Sequence, residues 1–75
     1  MNAQRRVEAN EVNEALEALL LRIECLIDDE QSALEGIPEN MYQRVERGED
    51  TKSHLEDAKT SVEEAIGHLE SAVDR

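Results

Sequence analysis

The chain has 75 residues, so it forms one small domain at most. It carries 19 acidic and 8 basic residues, giving a formal net charge of -11, and Tyr42 is its one aromatic residue. Both features argue against direct binding of nucleic acid, which requires basic and stacking side chains. The single cysteine excludes an internal disulfide, and no Cys/His cluster suggests a structural zinc site.

No apolar run approaches the roughly 20 residues that span a bilayer. Two arginines near the N-terminus are followed by acids and asparagine, which does not match a signal peptide. We therefore expect a cytoplasmic protein with no membrane partner.

The first predicted helix covers about residues 3–35. Its apolar residues follow heptad spacing, and a second apolar row flanks the first. The stripe is too broad for one partner helix to cover. The main row is Val12, Leu16, Leu19, Ile23, Leu26, Ala33 and Ile37, and the flanking row is Leu20, Ile27 and Leu34.

Gly36 and Pro38 predict the end of this helix, with glycine in the left-handed C-cap conformation. The predicted connector covers residues 36–48. Pro38 can open a short helical turn within it. Met41, Tyr42 and Val45 are then expected to pack over the end of the hairpin.

The second predicted helix covers about residues 49–74, with Asp50 or Thr51 as its N-cap. Its apolar row alternates large and small residues, and small residues let a neighbouring helix approach closely. The row is Leu55, Ala58, Val62, Ala65, Leu69 and Ala72, with Ile66 and Val73 beside it.

Two long helices and a short connector predict an all-α fold, an antiparallel helical hairpin. A chain this short, without disulfide or metal, usually needs another source of stability. We therefore predict a homodimer in which two hairpins form a four-helix bundle. The predicted dimer interface is Leu16, Leu19, Leu20, Ile23, Leu26 and Ile27.

Four short segments occur in a familiar order: Asp28-Asp29-Glu30-Gln31, Pro38-Glu39-Asn40, Glu46-Arg47-Gly48-Glu49 and Glu63-Glu64-Ala65-Ile66. Over residues 24–73 the chain resembles small acidic helical proteins of phages and prophages. The resemblance implies a phage setting and no particular chemistry.

Acids on the first helix invite comparison with the magnesium-binding faces of helical nucleotide pyrophosphatases, since hard cations prefer oxygen ligands. A solvated helix face explains them better, because such enzymes direct their acids into a bundle. We expect no metal, no cofactor and no catalytic residue, and a metal-dependent nucleotide hydrolase is the least favoured hypothesis. The acids are Glu11, Glu14, Glu17, Glu24 and Asp28.

Three other side chains have ordinary interpretations. His54 and His68 lie fourteen residues apart on one face of the second helix, which is typical of surface or interface histidines. Cys25 has no basic neighbours that would activate it, so packing in or beside the apolar stripe is expected. Glu30 interrupts the apolar row and is expected at its rim.

Acids recur in pairs about seven residues apart along the second helix. A rod with this pattern can imitate a nucleic-acid backbone and occupy a basic groove, although surface charge also serves solubility alone. We predict a non-enzymatic protein that inhibits or modulates a basic host protein. The predicted partner-binding residues are Glu56, Asp57, Glu63, Glu64 and Glu70.

The alternative function is an oligomeric module that sequesters a small phosphorylated or nucleotide ligand. Cations gathered near the connector would hold its phosphates, and the tyrosine would stack on its base. The residues of this alternative site are Tyr42, Arg44, Arg47 and Lys52.

Overall fold

A computed structural model describes residues 1–74 of the chain. They form two α-helices, α1 (Ala3–Glu35) and α2 (Tyr42–Val73), and no strand. The two helices pack against each other as an antiparallel hairpin measuring 58 × 15 × 11 Å. The all-helical hairpin expected from the sequence is therefore present.

Helix α1 begins at a side-chain cap. Asn2 has an extended backbone, and its side-chain oxygen accepts a hydrogen bond from the Arg5 amide at 2.8 Å. At the other end, the Gly36 amide donates to the Ala33 carbonyl. Gly36 has φ -85°, so it continues the right-handed conformation instead of adopting the expected left-handed one. Pro38, two residues later, prevents further continuation of the helix.

Helix α2 begins earlier than the sequence pattern predicted. It includes residues 42–48, which we had placed in the connector, so the connector comprises residues 36–41 and contains no short helix. The residue at the N-cap is Met41, which makes no side-chain cap, and Asp50 and Thr51 lie inside the helix.

Gly48 lies inside α2, where it faces the Leu34 side chain of α1. A Cβ atom there would overlap Leu34 Cδ2 and lie 3.1 Å from Leu34 Cγ. The absent side chain thus allows Leu34 to pack against the α2 backbone next to the connector, at a position where glycine has low helix propensity.

One continuous heptad row of α1 faces α2. Its residues are spaced by three or four, which keeps them on one side of the helix. This row contains the residues that we had assigned to the flank, and polar side chains interrupt it twice. It consists of Ala9, Asn13, Leu16, Leu20, Ile23, Ile27, Gln31, Leu34 and Ile37, all buried or half-buried.

The hairpin has very little enclosed core. Among residues 1–74, Ala9 is the one buried hydrophobic residue, and no large side chain is fully buried. The Asn13 side-chain oxygen is buried without a hydrogen-bond partner. Two helices side by side cover only one stripe of each other, so every packed side chain keeps one edge toward solvent.

Candidate functional site

Contacts between the helices define one long side of the hairpin as polar. Lys52 Nζ donates a hydrogen bond to Gln31 Oε1 at 2.7 Å and lies 3.7 Å from Glu56 Oε1. Lys59 Nζ lies 3.7 Å from Glu24 Oε1. We call this the polar side. Its residues are Glu17, Glu24 and Gln31 of α1 with Lys52, Glu56, Lys59, Glu63 and Glu70 of α2.

The opposite long side is apolar away from the connector. Next to the connector, a shallow groove is lined by Ala33 and Thr51, which therefore share this side, and also by the charged Glu30, Arg44 and Arg47. Helical periodicity places a row of larger residues on α1 next to Ala33, and a row of alanines on α2 next to Thr51. We call this the apolar side. Its residues are Val12, Leu19, Leu26 and Ala33 of α1 with Thr51, Ala58, Ala65 and Ala72 of α2.

The apolar side is open to solvent. Val12 is 51% exposed, Leu19 47% and Leu26 52%, and Ala58 is exposed, whereas Ala65 and Ala72 are half-buried. Isolated exposed leucines are common on proteins, but here three large apolar residues recur every seven residues on one side of α1.

The five acids predicted to bind a partner are all exposed. Glu56, Glu63 and Glu70 follow one another every seven residues along the polar side, about 10.5 Å apart. Asp57 and Glu64 lie on the outer surface of α2, away from α1. Of the five, Glu56 lies within ion-pair distance of Lys52, which lowers the negative field near the middle of the rod.

The predicted dimer interface is divided between two environments. Its members at heptad positions facing α2 are half-buried inside the hairpin, whereas Leu19 and Leu26 remain exposed on the apolar side. The half-buried members are Leu16, Leu20, Ile23 and Ile27.

The alternative ligand-binding residues do not converge on one site. Tyr42 is 75% exposed beside Arg44 and does not pack over the end of the hairpin as expected. Arg44 and Arg47 line the groove that contains Ala33 and Glu30, on the apolar side. Lys52 lies on the polar side, turned toward Gln31.

The remaining candidate side chains, Cys25, His54, His68 and Glu30, are exposed or half-buried. Cys25 is exposed on the outer surface of α1, contrary to the expected packing, because its heptad position points away from α2. His54 and His68 are also exposed, and Glu30 is half-buried near Gly48. Over the part of the chain that is described, no three His, Cys, Asp or Glu side chains are placed to hold a metal ion.

The sequence-based prediction did not recognise that the exposed apolar row of α1 and the alanine row of α2 lie on the same side of the hairpin. The interhelical contacts Gln31–Lys52 and Glu24–Lys59 both join residues whose numbers add up to 83. The apolar side obeys nearly the same relation: Val12 with Ala72, Leu19 with Ala65, and Leu26 with Ala58 each add up to 84. Pairing the residues of the two helices outward from the connector would have placed both rows on the same side.

Comparison with known proteins adds no assignment. No protein-family model matches the chain, and no curated protein or solved structure matches it either. Neither helix in the described range has an apolar stretch long enough to traverse a bilayer.

Proposed function

We propose that this chain is a non-enzymatic interaction protein whose acidic surface binds a basic partner in place of nucleic acid. The observation that carries the proposal is the exposure of five acids along one helix, of which Glu56 lies within ion-pair distance of a lysine. We call the acids of the polar side and of α2 near the free end of the hairpin the acidic end. Its residues are Glu17, Glu63, Glu64 and Glu70.

The acidic end differs from the middle of the polar side. Lys52 and Lys59 approach acids there, so the field is mixed. Between residues 60 and 74 the charged side chains of α2 are all acids, apart from the ionisable His68. Charges of one sign in a row repel each other and do not stabilise the hairpin; they are complementary to a basic surface, and they also keep the chain soluble.

The resemblance to small acidic phage proteins supports a setting in which such a partner would be a host DNA-binding or RNA-binding protein. Electrostatic complementarity speeds the encounter with a basic groove, and it weakens with salt because exposed charges are screened beyond about 8 Å at physiological ionic strength. A cytoplasmic location is part of this proposal.

A competition experiment tests the function. The chain, immobilised on beads, is incubated with bacterial extract, and bound proteins are displaced with duplex DNA or with salt. We expect basic proteins to be released by both treatments. The variant Glu63→Lys, Glu64→Lys, Glu70→Lys should lose this capture.

The matched control is Glu11→Lys, Glu14→Lys, Asp29→Lys, which changes the net charge equally but mainly on the outer surface of α1. It should retain most of the capture. Equal capture by the α2 variant and the unchanged chain at low salt would reject the proposal. Stabilisation of the chain by a nucleotide panel would favour the ligand-sequestering alternative instead.

A further inference from the structure

We infer that the apolar side is covered by a second copy of this chain, with α1 of each hairpin lying antiparallel on α2 of its partner. The contact would join the exposed row of Val12, Leu19 and Leu26 to the partner's row of Ala58, Ala65 and Ala72. The inference is independent of the proposed function, since it involves the opposite side of the hairpin.

The first argument is the exposed area. The hairpin exposes 5819 Å², whereas surface–mass scaling gives about 4,650 Å² for a compact monomer of 8.5 kDa. Covering the excess of about 1,200 Å² on each of two chains corresponds to about 2,400 Å² in total, which is the size of a permanent homodimer interface.

The second argument is shape. The radius of gyration is 17.2 Å, against about 11 Å expected for a compact domain of this length. Two hairpins stacked along their apolar sides form a four-helix arrangement. This arrangement encloses the half-exposed side chains that lie between α1 and α2 in each hairpin.

The third argument is the match between the two rows. A two-fold axis parallel to the helices places α1 of one copy over α2 of the other at unchanged height. Facing residues within one hairpin have residue numbers that add up to 83. Each large residue and its alanine add up to 84, so in the dimer the large residue lies within one residue of the level of the partner's alanine. Large side chains facing small ones interdigitate without voids.

Charge argues for a second copy over a lipid surface. An amphipathic helix that lies on a membrane usually carries Lys and Arg on its polar face, where anionic lipids attract it. This chain has a net charge of -11, and its polar side is dominated by acids. The isologous contact also leaves the acidic end of both copies facing solvent.

Sedimentation equilibrium over about 1–100 µM chain tests the dimer. We expect twice the monomer mass of 8.5 kDa. Leu19→Asp should weaken association at least about 100-fold, because it buries a charge at two symmetric positions. The matched control is Leu21→Asp, at a leucine that is 64% exposed on the outer surface of α1, which should leave association unchanged.

The arrangement is tested by cross-linking in a Cys25→Ser background. Chains carrying Leu19→Cys are mixed with chains carrying Ala65→Cys and oxidised, and we expect the mixed dimer to predominate. Predominant cross-linking between two Leu19→Cys chains would overturn the arrangement. A folded monomer at every concentration, or equal effects of Leu19→Asp and Leu21→Asp, would overturn the interface itself and leave the apolar side to a different partner.

Discussion

At the scale of the residue, two side chains depart from what their heptad positions predict. Asn13 occupies a position between Ala9 and Leu16 where an apolar residue would pack, and its buried side-chain oxygen has no partner. Gly48 occupies a helix interior, where glycine is unfavourable, and allows contact with Leu34. Neither residue follows from the local sequence. The contact with Leu34 explains Gly48, whereas nothing in the structure explains Asn13.

Replacing Asn13→Leu should stabilise the hairpin by about 1–2 kcal/mol, because an unpaired buried polar group is removed and apolar contact is added. The free energy of unfolding in urea measures this. Asn10→Leu, at an exposed position of the same helix, is the matched control and should bring no comparable gain. A loss of stability in Asn13→Leu would contradict the assignment of Asn13 as an unpaired buried group.

At the scale of the element, both helices and the antiparallel turn could be predicted from the sequence. Heptad periodicity, the Gly36–Pro38 break and the absence of strand patterns carried that prediction. The start of α2 could not be found, since Gly48 resembles a helix breaker until Leu34 is placed against it. The facing row of α1 was also assigned wrongly, because two overlapping heptad rows fit the sequence and only the register with α2 distinguishes them.

The two interior glycines of α2 should respond in opposite directions to alanine. Gly67→Ala adds a Cβ that meets no atom within 4 Å, so the gain in helix propensity should stabilise the chain by about 0.5–1 kcal/mol. Gly48→Ala introduces an overlap with the half-buried Leu34 side chain, which must shift between the helices. Overpacking costs about 1–3 kcal/mol, so we expect a net loss of stability.

Denaturant unfolding of both glycine variants under identical conditions provides the comparison. The expected order of stability is Gly67→Ala, then the unchanged chain, then Gly48→Ala. Equal stabilisation by both substitutions would mean that the helices do not come together at Gly48 as described.

At the scale of the whole molecule, charge opposes compactness. The described ion pairs, Lys52–Glu56 and Lys59–Glu24, are exposed enough to add little stability each. A net charge of -11 acts against them at every point of the rod. The acidic surface therefore reduces stability, which makes a role outside the fold the better explanation for it.

Salt should accordingly stabilise this protein. Raising NaCl from about 0.01 M to 1 M shortens the screening length from about 30 Å to 3 Å, so repulsion among the acids falls. We expect the melting temperature to rise steadily over this range, measured by circular dichroism at fixed chain concentration. A fall in melting temperature with salt would indicate that ion pairs dominate the electrostatics.

The register of the hairpin also implies an order of assembly. Facing residues are separated by 14 positions at Leu34 and Gly48, by 21 at Gln31 and Lys52, and by 35 at Glu24 and Lys59. The shortest loop closes first, and each turn of packing brings the next pair within reach at little additional entropy. Pairing of the two helices should thus begin at the connector and proceed toward the free end. The acidic end, which is proposed to bind a partner, should form last and open first.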